Sequence, residues 1–224
     1  MFRVFWGGHM RKLVALLFGL LFASAAVAQT PAAPAAPSLD LENILYLDLS
    51  TGGRVGILMR PDKAPKHVER IKTLARRGFY DGLIFHRVIE GFMAQGGDPK
   101  GLGSGGSELP DLKAEFNDII HMRGVVSMAR TDAPDTANSQ FFIVLAPSFI
   151  LDGNYTAWGR VFEGMQYVDA IERGEPPANP SKILKASIGA DRVPPPAPGA
   201  MIVAAPVPPA TTTAAAPQAT PAKN

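Results

Sequence analysis

Apolar and polar positions alternate through much of the middle of the chain. Residues 43–50 (NILYLDLS) switch between the two with period 2, the pattern of a half-buried strand. Thr51-Gly52-Gly53 is turn chemistry and residues 54–59 (RVGILM) run back, so the pair predicts a β-hairpin. The period then changes. Within residues 62–77, Val68, Ile71, Leu74 and Ala75 fall on one helical face; Pro65 suits a first turn and Gly78 supplies the stop. Short β-like runs follow at 83–89, 92–95, 125–129, 140–145 and 157–161, separated by glycine-rich turns. A second helix fits residues 165–173, with Val168, Ile171 and Glu172 suitably placed and Gly174 after it, and a last strand fits 182–188. Many short strands with two isolated helices is not a βαβ rhythm. The pattern predicts a mainly β fold, an antiparallel sheet that closes on itself with helices plugging its ends; closure would remove exposed edges.

The pattern fails at both ends. Residues 30–38 (TPAAPAAPS) and 193–224 are dominated by Pro, Ala and Thr, with Met201-Ile202-Val203 the main apolar run. Proline denies them regular hydrogen bonding and alanine buries little area. A linker at 29–38 and an unstructured tail at 193–224 are expected, leaving a folded domain of residues 39–192. Upstream, Met10-Arg11-Lys12, the apolar run 13–23 and Ala26-Val27-Ala28 before Gln29 form a basic n-region, a short h-region and a small-residue cleavage site. Residues 1–28 are therefore expected to be a secretory leader cut after Ala28, with Met1 and Met10 both open as starts. The apolar run is shorter than the roughly 20 residues a spanning helix needs, so no stable membrane insertion is expected after cleavage. The predicted location is outside the cytoplasm, in a periplasm.

Composition narrows the chemistry. The chain of 224 residues is 46% hydrophobic and 19% charged, which suits one globular core with tails. Its net charge of +2, with both signs mixed along the middle, offers no clustered basic face for nucleic acid. It has no cysteine, which removes disulfides, thiol catalysis and thiolate metal sites. His9, His67, His86 and His121 form no HExxH or other ligand pair, so no metal is expected. Gly101, Gly103 and Gly106 match G-x-G-x-x-G, but Pro110 blocks an early helix after them; a tight glycine loop is expected there, not a dinucleotide site. There is no G-x-S-x-G elbow and no Walker pattern.

Two segments stand apart. In residues 85–98 (FHRVIEGFMAQGGD) and 138–143 (NSQFFI), polar groups sit among aromatics. Period-2 logic puts Met93 with Gln95 on one face and Gln140 with Phe142 on one face, while Phe141, Ile143 and Leu145 point the other way, toward a core. From pattern alone the first face is a functional groove, a doubly buried strand or a packing surface for a tail.

FHRVIEGFMAQGGD is very similar to the cyclophilin signature, and NSQFFI, Leu151-Asp152-Gly153 and residues 158–165 (WGRVFEGM) follow in that family's order. The resemblance covers nearly all of residues 39–188 and is closest to the compact bacterial branch. It implies a closed eight-stranded antiparallel barrel capped by two α-helices, acting without a cofactor as a monomer on proline-containing polypeptides, as a peptidyl-prolyl cis-trans isomerase. Carried over by position, Arg87 stands at the catalytic arginine, with Gln95 expected to position either Arg87 or the substrate carbonyl. Phe92, Met93, Phe142 and Leu151 stand at the proline pocket and Gln140 at a polar groove position. Ala129 and Arg130 stand where the backbone holds the substrate. Three positions depart from the animal-type pattern: Ile150 replaces a tryptophan that grips cyclosporin, which implies weak inhibition by it; Tyr155 stands where many members have histidine; Arg130 replaces a common asparagine. The rival reading is a non-catalytic chaperone on the same barrel, holding clients without turning their proline bonds.

Overall fold

The computed structural model describes residues 39–196. The predicted leader and linker, and most of the predicted tail, lie outside them. The strands are β1 (Ile44–Leu49), β2 (Gly53–Met59), β3 (Arg87–Ile89), β4 (Met93–Gly96), β5 (Val125–Met128), β6 (Phe141–Val144), β7 (Ala157–Glu163) and β8 (Ile183–Ile188). The helices are α1 (Pro65–Arg76) and α2 (Met165–Asp169), with short 3-10 turns such as Phe149–Leu151.

β1 and β2 form the expected hairpin, from Ile44 opposite Leu58 to Leu49 opposite Gly53. Gly52 takes a positive φ of 107°, and Gly53 lies against the Tyr167 ring, where a Cβ would collide. β1 is more buried than its alternation suggests, because β8 pairs on its other side. Its polar position, Asp48, is buried and is satisfied by Arg54, whose Nε and Nη2 donate to the two carboxylate oxygens at 2.7 and 2.9 Å.

α1 begins at Pro65 and buries Val68, Ile71, Leu74 and Ala75 as the periodicity requires. Its first free N–H groups are met from elsewhere in the chain: the Glu115 carboxylate accepts from the backbones of Lys66 and His67. Gly78 at φ 68° ends it. α2 is shorter than the predicted 165–173. Beyond Asp169 the chain is drawn into other pairings, the Glu172 N–H to Ser181 Oγ and the Arg173 side chain to Glu90.

The strands form one 8-stranded antiparallel sheet in the order β3-β4-β6-β5-β7-β2-β1-β8. It curls into a half-barrel and stays open, which corrects the expected closed barrel. β3 and β8 are its edges; residues 82–85, just before β3, meet residues 181–183 at the start of β8 through the Ile84–Lys182 bridge and neighbouring backbone hydrogen bonds. Closure fails because the outer edge of β3 is already used. Val88 and Gly174 exchange both backbone hydrogen bonds, at 2.8 and 2.9 Å, so a loop segment occupies the place β8 would need.

The concave side holds the main core, threaded by aromatic edges. Tyr80 meets Phe141 at 5.6 Å between ring centres and Phe141 meets Trp158 at 6.0 Å, both near perpendicular. All three rings are fully buried. Phe141→Ala is expected to lower the unfolding free energy by about 3–5 kcal/mol in urea titrations, the range for emptying a buried aromatic site.

Candidate active site

β4 and β6 face two ways. Ala94, Phe141 and Ile143 enter the main core, whereas Met93, Phe142 and Val144 join a second apolar cluster with Val125, Leu151 and Ala157 on the other face. The split is the one the period-2 reading assigned to Met93, Phe142, Phe141 and Ile143, and β6 is buried on both faces. Phe92, Ala129 and Tyr155 are half-buried around this cluster. The Tyr155 ring meets Phe142 edge-on at 5.6 Å.

Register converts that face into a row. Arg87 lies opposite Gln95, Gln95 opposite Phe142, Phe142 opposite Ser127, and Ser127 opposite Ala157. Neighbouring strands stand about 4.8 Å apart, so a guanidinium, an amide and a phenyl ring occupy successive positions along one line. A parallel line beside it pairs Ile89 with Met93 and Met93 with Val144.

Gln95 does not hold Arg87. Its Nε2 donates to Gln140 Oε1 at 2.9 Å, and Gln140 in turn donates to the carbonyls of Gly103 and Gly105. That glycine loop winds round Asp98, whose buried carboxylate accepts from the backbones of Lys100, Leu102, Gly103 and Gly105. The G-x-G-x-x-G match thus lies in a turn about an internal carboxylate: Gly101 and Gly103 take positive φ, and a Cβ on Gly105, between the matched glycines, would strike Asp98 Oδ1.

Arg87 is held instead by Glu175. Its Nε donates to Glu175 Oε2 at 2.8 Å, and its side chain keeps 23% exposure. Sequence reading missed Glu175 because it lies 88 positions downstream in a Pro/Gly-rich loop with no periodic signal. Also missed was a buried relay behind Phe142. Asp152 Oδ1 bonds His121 Nδ1 at 2.8 Å, and His121 Nε2 bonds Ser127 Oγ at 2.8 Å. With Nδ1–H given to the carboxylate, Nε2 accepts from the serine hydroxyl. Ser127 is fully buried, so this is a support under the Phe142 ring and not an exposed nucleophile.

The remaining predicted positions separate into two groups. Leu151 is buried in the apolar cluster, whereas Ile150 beside it points outward and is 60% exposed. The Ala129 N–H is already donated to the Gln140 carbonyl at 2.9 Å. Arg130 binds the carbonyls of Asn154, Thr131 and Asp132 and lies 4.7 Å from the Tyr155 ring centre, so two of the three departures from the animal-type pattern pack on each other. Among the described residues no group of three or more His, Cys, Asp or Glu could hold a metal ion, and no helix is long and apolar enough to cross a membrane.

The curled antiparallel sheet thus carries an arginine, a glutamine and an apolar cluster along one outer row. Residues 46–188 match the family model described as cyclophilin type peptidyl-prolyl cis-trans isomerase/CLD. The chain belongs to that family and is a peptidyl-prolyl cis-trans isomerase of the cyclophilin type. It is 47% identical over 172 residues to a probable peptidyl-prolyl cis-trans isomerase of Brucella suis, spanning 70% of this chain and 87% of that one. It is 42% identical over 145 residues to a peptidyl-prolyl cis-trans isomerase of Schizosaccharomyces pombe, spanning 60% and 92%. Among solved structures, a cyclophilin from Hirschia baltica superimposes with a TM-score of 0.64 at 30% identity, covering 70% of this chain and 77% of that one. A Cryptosporidium parvum cyclophilin solved in the presence of the dipeptide Ala-Pro gives 0.61 at 27% identity, covering 65% and 98%.

The buried histidines set a pH dependence. Burial pushes His67, His86 and His121 below the ordinary imidazole value, although Glu115 and Asp152 pull the first and last back up. A histidine with a lowered folded pKa binds its proton more tightly when unfolded. Its contribution is therefore complete above the unfolded value, about 6.5, and is lost as pH falls from there through the folded value. Thermal unfolding followed from pH 8 to pH 5 is expected to show a midpoint that is flat at the alkaline end and falls below about pH 6.5.

Proposed function

We propose that Arg87 is the catalytic residue, that the cluster of Phe92, Met93, Phe142 and Leu151 takes the proline ring, and that the clients are exported proteins. The observation that supports the site is the cross-strand row, in which Arg87 lies opposite Gln95 and Gln95 opposite Phe142. The Ala-Pro dipeptide named with the Cryptosporidium neighbour supports a proline-containing substrate.

The mechanism follows from the amide. An X-Pro bond is planar because nitrogen shares its lone pair with the carbonyl, and rotation through the twisted state faces a barrier of about 18–20 kcal/mol. In that state the nitrogen becomes pyramidal and regains a lone pair it can offer to a donor. A guanidinium aimed at it binds the twisted form better than either planar form, and only such differential binding accelerates the reaction. Arginine suits the role because it is always charged and presents planar, forked donors. The apolar floor holds the proline ring while the preceding residue turns, and it keeps water from the Arg87 contact, which strengthens that contact. The Gln95–Gln140 amide pair borders the groove and can meet the backbone of the extended client.

Export rests on the pattern of residues 10–28: basic start, short apolar run and A-x-A motif before Gln29. N-terminal sequencing of the protein recovered from a bacterial host's periplasm is expected to start at Gln29. A cytoplasmic product beginning at Met1 or Met10 would sink that part of the proposal.

Arg87→Ala is expected to lower kcat/KM for a short X-Pro peptide by about 10²-fold or more, the scale for losing one preorganised donor. A protease-coupled assay on the purified protein measures it. Near wild-type turnover would overturn the assignment, and suppression of client aggregation with no isomerase activity in the wild type would favour the non-catalytic chaperone.

A further inference from the structure

Arg87 sits at the sheet edge, and the loop after α2 is fastened along it. Three contacts run antiparallel between the two. Arg87 Nε meets Glu175 at 2.8 Å, Val88 and Gly174 exchange backbone hydrogen bonds, and Glu90 accepts from Arg173 Nε at 2.5 Å. The charges are crossed, with Arg87 on β3 and Glu90 just after it facing Glu175 and Arg173 on the loop. A shift of register would set like charges together, so the pattern locks Glu175 opposite Arg87. Arg173 is also tied to its own loop through the Ile171 carbonyl. Gly174 cannot be replaced cheaply: its φ is 144°, and a Cβ there would lie 2.6 Å from Pro177 Cα. The segment is built to hold one geometry.

The contact with Arg87 uses Nε alone. Among the described residues the Nη groups make no hydrogen bond, which leaves them free for substrate. A free arginine side chain samples many rotamers, and each unproductive one dilutes the differential binding on which rotation depends. A carboxylate at Nε removes much of that freedom before substrate arrives.

We propose that Glu175 is a positioning residue, a carboxylate anchored on the β3 edge by the Arg173–Gly174–Glu175 segment that fixes the Arg87 guanidinium for the twisted X-Pro bond. This rests on Arg87 being the catalytic residue. Glu175 touches no substrate itself.

The test is a double-mutant cycle on the full chain. Glu175→Ala is expected to lower kcat about tenfold with KM changed by less than about twofold, since a small misplacement of a catalytic group acts on rate. Glu175→Gln, which keeps an acceptor, should recover part of the loss. In the Arg87→Ala background, Glu175→Ala should add nothing. The thermal midpoint of Glu175→Ala should stay near wild type, because a half-exposed ion pair contributes little stability. In parallel, the Arg87 Nε–H resonance should exchange slowly with water in the wild type and quickly in Glu175→Ala. Unchanged or raised kcat in Glu175→Ala would overturn the proposal, the second case marking the loop as a brake. So would an equal loss in both backgrounds, or a resonance indifferent to Glu175. An inactive wild type with the resonance still protected by Glu175 would instead sink the catalytic reading of Arg87.

Discussion

Gln95 opposite Phe142, in the ladder between β4 and β6, is the constraint on which the remainder of the groove rests. β6 is buried on both sides, and Met93 and Ala94 of β4, like Phe142 and Phe141 of β6, go to different apolar clusters. A slip of one residue would send Phe142 and Met93 into the main core and turn Phe141 and Ile143 outward, exchanging every neighbour on both faces. The two clusters differ in shape and size, so the slip has no compensating arrangement. Packing of the core thereby holds the groove in register, and the row from Arg87 through Gln95 to Phe142 inherits its precision from residues that never meet a substrate.

The rest of the site is a set of tethers on that row. Behind Phe142, the Asp152–His121–Ser127 chain lies under the ring with both imidazole nitrogens hydrogen-bonded, so the ring is backed by an ordered polar layer. At the flank, Gln140 grips a loop that Asp98 has already wound into a single shape. At the edge, the loop after α2 holds Arg87. Each tether starts outside the three strands that carry the row from Arg87 to Phe142. Isomerisation of an X-Pro bond makes and breaks no covalent bond, so a site of this kind gains its effect from where donors and apolar walls stand in advance.

Much of this was legible in the sequence, and what was not has a common cause. The hairpin, α1, the inward set Phe141, Ile143 and Leu145, and the outward set Met93 and Phe142 follow from local period, because alternate burial on a strand leaves its mark in consecutive residues. The groove residues came from the family resemblance. The length of α2, the opening of the sheet and the holder of Arg87 were misread or missed, and all three trace to residues 170–175. There the helical spacing of Val168, Ile171 and Glu172 runs on to Gly174, yet tertiary pairing of Gly174 with Val88 takes the backbone away. No local signal reports that capture. It depends on a strand edge more than eighty positions upstream.

The same capture explains why an open sheet is compatible with stability here. An edge strand as short as β3 (Arg87–Ile89) exposes few backbone groups, and Gly174 satisfies the central pair of them. Closing the barrel by pairing β3 with β8 would satisfy the same groups but would displace Glu175 from Arg87. The sheet therefore stops where its last strand carries Arg87, and the loop that pairs with that edge delivers a carboxylate to its guanidinium that a strand of β8's composition could not. Of the residues in β8, Ile183 to Ile188, none is acidic. Edge protection and orientation of Arg87 are in this protein one structural solution.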